Sequence, residues 1–402
     1  MEHPTLQPLY LSHFTMVSSL GAGVEATLAA LLTGRSALRA RTYAGGLETC
    51  VGKVDGLETA ALPESLARFD CRNNRLAALA LAQDGFLDAV AALRDKYGPD
   101  RIGTFLGTST SGIEHSEEAY RRRDASGRLP ADFRYAEAHN TFSLGRFVAR
   151  VSNLGGPAMV ASAACATTAK VFGNAARMIA AGFCDAAIVG GADTLCATTI
   201  YGFHSLGLIS RTPCRPFDTA RDGISIGEAA GFAILEKANA ADVPANGVML
   251  RGFGESSDAY HMSTPHPEGA GARLAMERAL DSGGLQPGDI DYINVHGTAT
   301  LVGDAAEDRA LVELFGREIP CSSTKSYTGH TLGSAGIVEA IISALAIQNN
   351  FMPGTANTQE IDPALGSRYL TGGGQRGPVK RVVSNSFGFG GSNCSLVLER
   401  GS

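Results

Sequence analysis

The chain of 402 residues is 44% hydrophobic and 18% charged, which is enough apolar material for a large core spread over two or three domains. Its net charge of −6 argues against nucleic-acid binding and against a basic membrane-binding patch. No apolar run approaches the length of a membrane span, and the N-terminus lacks a signal-peptide pattern. The eight cysteines form no CxxC pair and show no metal-ligand spacing, so we expect free thiols, no metal and a cytoplasmic location.

The first part of the chain alternates predicted strands and helices. Apolar periodicity predicts a strand at 9–14, a helix at 21–32, mostly helical structure over 66–93 and a strand at 101–106. A charged run follows at 117–128 and contains Arg121, Arg122 and Arg123. Such a run is usually the solvated face of a helix, and this is the interpretation that we favour.

A strand, a tight turn and a helix are predicted within residues 158–182, with Cys165 at the turn. A thiol at the N-terminus of a helix lies near unpaired backbone N–H groups, which favours the thiolate. The alternative is that Cys165 is a small core residue, as most buried cysteines are. Strands are predicted at 185–191 and 232–235, and the second of these follows a glycine-punctuated loop at 215–231.

The second part of the chain repeats this order after a linker-like stretch at 239–246. A strand at 290–295 leads to His296 and Gly297-Thr298, much as the strand at 101–106 leads to Gly107-Thr108. A helix opens at His330 and runs to residue 347, and a last strand covers 394–398. We therefore predict two similar α/β halves, residues 1–245 and 246–402. If equivalent strand ends meet, Cys165, His296 and His330 converge in one pocket.

These three residues suit the transfer of an acyl group. A thiolate at Cys165 accepts the acyl group as a thioester and divides one hard transfer into two easier ones. Neutral imidazoles at His296 and His330 then donate N–H bonds to the oxygen of an enolate that forms when a second substrate loses its carboxylate. Each histidine alone has a structural alternative, because a histidine after a strand is usually a satisfied structural residue.

Further residues complete this hypothesis. Lys325 offers a fixed positive charge, and Glu307 neutralises and orients it. The tetrahedral oxyanion needs donors, and the backbone N–H groups of Cys165 and of the glycine-rich turn at 387–391 are suited to that task. Each of these features also has a structural alternative when it is taken singly. Lys325 is then an ordinary surface lysine, Glu307 is a polar helix position, and the turn is a hairpin turn.

Five sequence blocks together resemble the elongating β-ketoacyl-acyl-carrier-protein synthases of the thiolase superfamily. The blocks are SAACATTAK, RPFDTARDGISIGEAAG, INVHGTATLVGD, STKSYTGHTLGSAG and SNSFGFGGSN, and the resemblance covers essentially the whole chain. The resemblance implies a thiolase-like α/β fold, in which two duplicated halves form a five-layered α/β/α/β/α arrangement, and it implies a dimer. It makes Cys165 the acylated nucleophile, His296 and His330 the decarboxylating pair, and the backbone of Phe389 an oxyanion donor.

The resemblance also implies how substrates are held. Both substrates are thioesters of acyl carrier protein, so no further cofactor is expected, and Thr298 and Thr300 contact the phosphopantetheine arm. Phe387 and Phe389 flank the pocket and gate it, and Thr110 occupies a loop position at which relatives set acyl length.

Carrier proteins of this kind are acidic, so a basic docking patch is expected. Arg72 and Arg75 resemble the docking positions of the family, with Arg121, Arg122 and Arg123 as helpers.

The same residues separate close relatives from one another. Thiolases, which are not decarboxylative, carry a second cysteine where this chain has His330, and silent chain-length-factor subunits lack the active cysteine. The two histidines therefore favour the elongating, decarboxylative branch. The sequence departs from the family pattern at Ser12-His13-Phe14, Ile226 and Tyr327. These departures leave two roles open, fatty-acid synthesis or a specialised polyketide or polyene pathway. The dimer is accordingly either a homodimer or a heterodimer.

Overall fold

The structure is a computed structural model that describes residues 5–237 and 243–401. Part of the linker-like stretch at 239–246 lies outside the described residues. The boundary between residues 245 and 246 stays a prediction. The strands and helices that precede this boundary are β1 (Leu9–Ser18), β2 (Gly21–Ala22), α1 (Val24–Leu32), β3 (Arg39–Tyr43), β4 (Leu47–Gly52), α2 (Arg72–Leu81), α3 (Phe86–Tyr97), β5 (Ile102–Gly107), α4 (Ile113–Arg121), α5 (Phe142–Ser152), β6 (Ala158–Ala161), α6 (Thr167–Ala180), β7 (Ala186–Asp193), α7 (Ala197–Ser205), β8 (Ile226–Gly227) and β9 (Ala229–Lys237).

The later part of the chain contains the remaining elements. They are β10 (Val248–Ser257), α8 (Ala270–Gly283), β11 (Tyr292–Asn294), α9 (Leu301–Phe315), β12 (Pro320–Ser322), α10 (Lys325–Thr328), α11 (Ala335–Asn349), β13 (Phe351–Met352), β14 (Arg368–Tyr369), β15 (Gln375–Arg376), β16 (Arg381–Gly388) and β17 (Ser392–Arg400). Single turns of 3₁₀ helix lie among them, notably at Leu332–Ser334 and Phe389–Gly391.

Two sets of five strands have the same order and the same directions. The first set is β1-β9-β7-β5-β6, and the second is β10-β17-β16-β11-β12. In each set three strands are parallel and the two strands nearest the junction are antiparallel to their neighbours. The sets join where β1 pairs with β10, with Leu9 opposite Leu250. This repeated topology is the duplication that the sequence predicted.

Helices cover both faces of each five-stranded set. Helices α6 and α11 pack on each other in the middle, with β5 and β7 against one of them and β16 and β17 against the other. Helices α2, α3 and α5 cover the outer face of the first set, and α8 and α9 that of the second. The predicted five-layered α/β/α/β/α arrangement is therefore confirmed.

The contact between the two central helices is close because one residue has no side chain. A Cβ atom on Gly336 of α11 would lie 2.4 Å from the backbone nitrogen of Ala169 on α6. Val171 and Phe172 of α6 and Ile337 and Ile341 of α11 are fully buried around this contact. Two halves of the chain thus share one apolar layer, directly below the strand ends that carry polar residues.

One stretch of the described residues is long and apolar enough to cross a membrane by length and composition. It is Leu332–Asn349, with a mean hydropathy of 1.3, and it corrects the expectation that no apolar run reaches this length. The stretch is 89% buried within the protein, as expected for a core helix, because it consists mainly of α11 in the central layer. Helices α2 and α3 meet the same criteria only when counted as one span, and they are bent by 74° at their break.

Several predicted elements have different bounds in the structure. The strand predicted at 9–14 extends to Ser18, and the helix predicted at 21–32 begins only at Val24 because Gly21 pairs with the end of β1. The helical stretch at 66–93 is interrupted at Asp84 and Gly85, whose φ angles of 55° and 66° are left-handed. The charged run at 117–128 is helical only as far as Arg121, where α4 ends.

Candidate active site

Cys165 lies in a sharp turn between β6 and α6. Ala164, which precedes it, has a left-handed φ of 47°, and α6 begins two residues after Cys165, at Thr167. The hydroxyl of Thr167 accepts a hydrogen bond from the backbone N–H of Ala163 at 2.7 Å and donates one to the carbonyl of Ala164 at 2.5 Å. These bonds close the turn and hold the thiol at the carboxyl end of the sheet, as the sequence predicted.

His330 comes from the other half and does not open a helix as predicted, because its backbone is part of an extended bridge. Its N–H donates to the carbonyl of Ser225 at 2.7 Å, and its carbonyl accepts from the N–H of Gly227 at 2.9 Å. The N–H of Leu332, which has a φ of 58°, donates to Nδ1 of His330 at 3.3 Å. That bond leaves the imidazole proton on Nε2, which lies 2.9 Å from Sγ of Cys165.

His296 follows β11 and is held through its backbone. The carboxylate of Glu307, on α9, accepts the N–H of His296 at 2.7 Å and that of Gly297 at 2.8 Å. The rings of His296 and His330 meet edge to face, with centroids 5.4 Å apart. Glu307 therefore orients the strand end that carries His296.

The expected convergence of Cys165, His296 and His330 in one pocket is confirmed. The sulfur and one nitrogen of each imidazole all lie within 4.8 Å of one another. They line the inner part of a cavity of about 360 Å³, whose walls also include Thr298 and Thr300. One thiol and two imidazoles within this distance also form a donor set that can hold a soft divalent cation.

Burial sets the protonation states in this cavity. It lowers the pKa of His296 and of His330 well below the usual range, and the nearby charge of Lys325 acts in the same direction. Burial raises the pKa of the Cys165 thiol to about 12, against the opposing effects of Lys325 and of the backbone N–H of Phe389. The site therefore holds neutral imidazoles, as predicted, but a thiol where the helix terminus predicted a thiolate.

Lys325 is buried, and its ammonium group is paired with the carboxylate of Glu339 on α11. This corrects the prediction that Glu307 neutralises Lys325, since both oxygens of Glu307 accept backbone N–H groups instead. Burial raises the pKa of Glu339 to about 7, and Lys325 opposes that rise. The sequence did not identify Glu339, which lies among apolar residues of α11 at 335–349.

The glycine-rich turn after β16 lies against the nucleophile. The backbone N–H of Phe389 acts to lower the pKa of the Cys165 thiol, and a Cβ atom on Gly388 would lie 3.1 Å from the backbone nitrogen of Cys165. The ring of Phe387 packs against His296 with centroids 5.8 Å apart, and that of Phe389 packs against Phe203 at 5.3 Å. The turn thus brings two backbone N–H groups close to the position of an oxyanion.

Thr298 and Thr300 lie on the wall of the cavity, with their hydroxyl oxygens 3.1 Å apart. Thr110 is not among the residues that line this cavity, and its role in setting acyl length stays a prediction. Its hydroxyl and its N–H both donate to the carboxylate of Asp193, at 2.7 Å and 2.6 Å. The residue is buried by these bonds and is not directed toward the substrate space described here.

The two arginines predicted to dock a carrier protein are held in ion pairs of the chain itself. The guanidinium of Arg72 binds Glu228 at 2.7 Å and Glu58 at 3.0 Å, and its side chain is 15% exposed. Arg75 forms a bidentate pair with Asp70 at 2.5 Å and 2.7 Å. Both guanidinium groups are therefore already neutralised within the chain, and the docking role of Arg72 and Arg75 stays a prediction.

The predicted helper arginines lie on or beside α4, where the charged run is solvated as we favoured. Arg121 pairs with Glu117 at 3.6 Å, and Arg122 pairs with Asp132 at 3.0 Å. The guanidinium of Arg123 stacks over the ring of Tyr120, 5.2 Å from the ring centroid.

Four exposed apolar side chains lie on the wall of the cavity or next in sequence to residues of that wall. Leu301 and Val302 line the cavity, with Leu301 60% exposed, while Leu206 and Met262 are sequence neighbours of other lining residues, with Met262 77% exposed. Monomeric proteins rarely expose such a group of apolar side chains without a binding function. We call these four residues the apolar rim.

Comparison with known proteins places the chain in context. Residues 15–241 match the family model described as the N-terminal domain of β-ketoacyl synthase, and residues 248–359 match that of its C-terminal domain. The chain is 34% identical to a 3-oxoacyl-[acyl-carrier-protein] synthase 2 of Staphylococcus aureus, over 80% of each chain. It is 33% identical to the 3-oxoacyl-[acyl-carrier-protein] synthase 2 of Rhizobium meliloti, over 96% of this chain and 97% of that one.

Solved structures with the same fold include two complexes. A chain of the complex between the ketosynthase ApeO and its chain length factor ApeC, from Xenorhabdus doucetiae, superposes with a TM-score of 0.89 at 38% identity over the whole of both chains. The ishigamide ketosynthase/chain length factor superposes with a TM-score of 0.88 at 27% identity over 98% of this chain and 100% of that chain.

Proposed function

Because the chain belongs to the β-ketoacyl synthase family, we propose that it is a 3-oxoacyl-[acyl-carrier-protein] synthase that joins an acyl chain to a malonyl unit with loss of CO₂. The enzyme is an acyltransferase that serves fatty-acid synthesis or a related polyketide or polyene pathway. The observation that carries the proposal is the 2.9 Å contact between Nε2 of His330 and Sγ of Cys165, with His296 beside both.

The first half-reaction moves the acyl group to Cys165. The sulfur attacks the carbonyl carbon of the acyl thioester, the bond from that carbon to the carrier sulfur breaks, and the thiol proton of Cys165 ends on the departing carrier thiol. The tetrahedral oxyanion is stabilised by the backbone N–H groups of Cys165 and Phe389, which are fixed before the reaction. Burial of the sulfur excludes water that would hydrolyse the thioester.

The second half-reaction uses the histidines as donors. The malonyl group loses CO₂, its thioester oxygen gains negative charge, and the neutral imidazoles of His296 and His330 donate N–H bonds to that oxygen. The enolate carbon attacks the acyl group on Cys165, and the released sulfur takes up one proton. Burial, with the charge of Lys325 acting in the same direction, keeps both imidazoles neutral, as donation without full protonation requires.

Two other functions compete with this one. A non-decarboxylative thiolase would use a second cysteine where this chain has His330. A scaffold subunit of a heterodimeric ketosynthase would not need the thiol, whereas here Cys165, both histidines and the buried Lys325–Glu339 pair are all present. The active condensing enzyme therefore accounts for more of the site than either alternative.

We propose that the partner subunit is a homologous chain, in a homodimer or in a heterodimer with a chain length factor. The heterodimer is favoured by the complex of ApeO with its chain length factor, one chain of which superposes over the full length of this chain. The eight cysteines are all free and buried, which suits the reducing cytoplasm.

We place the docking of acyl carrier protein at the apolar rim. The carrier must deliver its phosphopantetheine arm through the mouth of the cavity, and Thr298 and Thr300 then offer hydroxyl groups to the arm inside. No cofactor beyond this carried arm is needed for either half-reaction. An alternative surface consists of Arg68, Arg146 and Arg150, which line a shallow depression and form no ion pair within the described residues.

Intact-mass spectrometry tests the proposed function. The protein is mixed with acyl-carrier thioesters of several lengths, beside a Cys165→Ala control, and malonyl-carrier protein is then added. We expect an acyl adduct that requires Cys165 and is discharged by malonyl-carrier protein, and the preferred chain length identifies the pathway. A folded protein that forms no adduct with any donor, alone or with a homologous partner, would show that it is not a condensing enzyme.

A further inference from the structure

The carboxylate of Asp193, at the carboxyl end of β7, is fully buried and collects hydrogen bonds from two loops. Its Oδ1 accepts the hydroxyls of Thr108 and Thr110, at 2.9 Å and 2.7 Å, and the N–H groups of Ser109 and Thr110, at 2.8 Å and 2.6 Å. Its Oδ2 accepts the N–H of Ser334 at 2.9 Å. The first loop belongs to the first half of the chain, and Ser334 belongs to the second.

The first loop touches the turn of the nucleophile. The hydroxyl of Ser109 donates to the carbonyl of Ala164 at 3.3 Å, and Ala164 directly precedes Cys165. Because the N–H of Ser109 is bound to Asp193, the carboxylate fixes the residue that supports this turn. One oxygen of Asp193 is thus connected to Cys165 through Ser109 and Ala164.

The second loop touches the histidine. Ser334 ends the 3₁₀ turn Leu332–Ser334, and the N–H of Leu332 donates to Nδ1 of His330 at 3.3 Å. A Cβ atom on Gly333 would lie 2.7 Å from Oδ2 of Asp193 and 2.4 Å from Oγ of Ser109, so the two loops are in direct contact here. The other oxygen of Asp193 is thus connected to His330 through the same short turn.

Burying a carboxylate without a neighbouring cation costs free energy of folding, so we expect this residue to have a specific function. Within the described residues Asp193 forms no ion pair and is held only by neutral donors. Burial raises its pKa to about 6, against the effect of these hydrogen bonds. An apolar residue at the end of β7 would avoid this cost but would leave five donor groups without an acceptor.

We propose that Asp193 is a positioning residue that sets the distance between Cys165 and His330 across the two halves of the chain. It touches neither residue and acts through Ser109 on one side and through the Leu332–Ser334 turn on the other. The inference rests on the proposed roles of Cys165 and His330. Misplacement of an active-site group by about 1 Å costs up to about 100-fold in rate. Loss of the Asp193 carboxylate can therefore slow the reaction by a large factor.

The test is the substitution Asp193→Asn, which keeps the shape of the side chain and replaces one acceptor oxygen by a donor. We expect the rate constant for alkylation of Cys165 by iodoacetamide and the kcat of condensation each to fall at least about tenfold. The KM for the carrier substrate should stay unchanged, because the apolar rim is not altered. Ser109→Ala, which removes only the bond to Ala164, should lower the same two rates by a smaller factor.

Asp308→Asn is the matched control. Asp308 is also a buried carboxylate, and it accepts the N–H groups of Gly366 and Ser367 and the hydroxyl of Tyr369, far in the chain from Cys165. The Asp308→Asn variant should leave the rate of Cys165 alkylation unchanged even if its melting temperature falls. A folded Asp193→Asn with wild-type alkylation and kcat would overturn the proposal. If Asp193→Asn does not fold, wild-type rates in Ser109→Ala would overturn it.

The alkylation rate separates this inference from the proposed function. It reports on the environment of Cys165 even in a protein that condenses no acyl donor. Failure of the wild-type protein to form an acyl adduct would refute the proposed function, and the comparison of alkylation rates among the variants would still decide the role of Asp193.

Discussion

Nε2 of His330 lies 2.9 Å from Sγ of Cys165, although 165 residues separate them in the chain. The contact joins the two halves at the carboxyl ends of their sheets, where each half contributes a loop rather than an element of regular structure. The N–H of Leu332 at Nδ1 directs the remaining imidazole proton toward the sulfur. The imidazole N–H of His330 thus faces the nucleophilic sulfur, beside the position that the proposed second substrate occupies in the decarboxylation step.

Kinetic measurements should distinguish the role of the two histidines from that of the nucleophile. In His330→Ala and in His296→Ala we expect the acyl adduct on Cys165 to form, because thioester exchange needs the sulfur and the backbone donors. Its discharge by malonyl-carrier protein should fall by about 10²–10³-fold, the usual effect of losing one oxyanion donor. Rapid-quench mass spectrometry measures both steps. Discharge at the wild-type rate in either variant would contradict the assigned role.

The thiol should become reactive only at high pH in the unloaded protein. Since burial raises the pKa of Cys165 to about 12, the thiolate fraction increases about tenfold for each pH unit between 7 and 10. The rate of iodoacetamide alkylation should rise in proportion over this range. Mass spectrometry of the labelled peptide follows it, with Cys165→Ala as the blank. A plateau near neutral pH would instead show that the terminus of α6 holds a thiolate.

Lys325→Met should destabilise the protein by about 3–5 kcal/mol at alkaline pH, because Glu339 then remains buried without its cation. Burial already raises the pKa of Glu339, so its protonated form is favoured by the fold and the stability of the variant decreases as the pH rises. The difference from the wild type should therefore widen between pH 6 and pH 8 in urea unfolding.

The double substitution Lys325→Met with Glu339→Gln is the control for that experiment. It should regain most of the lost stability, because no uncompensated charge remains, but it should not regain condensing activity. Full activity in the double variant would mean that the charge of Lys325 does not act on the histidines.

Charge placed on the apolar rim should weaken the carrier interaction. Leu206→Glu with Met262→Glu adds two negative charges at the mouth of the cavity, where an acidic carrier approaches. We expect a higher KM for acyl-carrier protein, an unchanged rate of Cys165 alkylation and a KM for a short pantetheine thioester that does not change. Arg68→Glu with Arg146→Glu is the comparison, and a rise in KM only in that variant would move docking to the arginine depression.

Zinc should inhibit the enzyme reversibly. The sulfur of Cys165 and one nitrogen each of His296 and His330 lie within 4.8 Å of one another, and Zn²⁺ binds such ligands at about 2.0–2.3 Å. We expect Zn²⁺ to protect Cys165 from iodoacetamide and a chelator to restore the reactivity. Protection that persists at the same Zn²⁺ concentration in His296→Ala with His330→Ala would contradict binding by this set.

Much of the fold and most of the site could be predicted from the sequence by itself. The five blocks carry Cys165, His296 and His330 at the ends of predicted strands, and the repeated order of strands predicts two halves whose ends meet. These features are local: apolar periodicity decides strands and helices, and each turn is encoded by the small residues within it. The chemistry could be predicted because its reactive groups lie inside those local patterns.

Only the tertiary structure decided how the charged groups are paired. Lys325 pairs with Glu339 rather than Glu307, and Arg72 is held by Glu228. Asp193 joins two loops that share no sequence pattern, one through Ser109 and the other through Ser334. Burial likewise decided that Cys165 is a thiol. Partners and burial depend on which distant segments pack together, and the free energy of an ionised group changes steeply with both, so no local pattern contains this information.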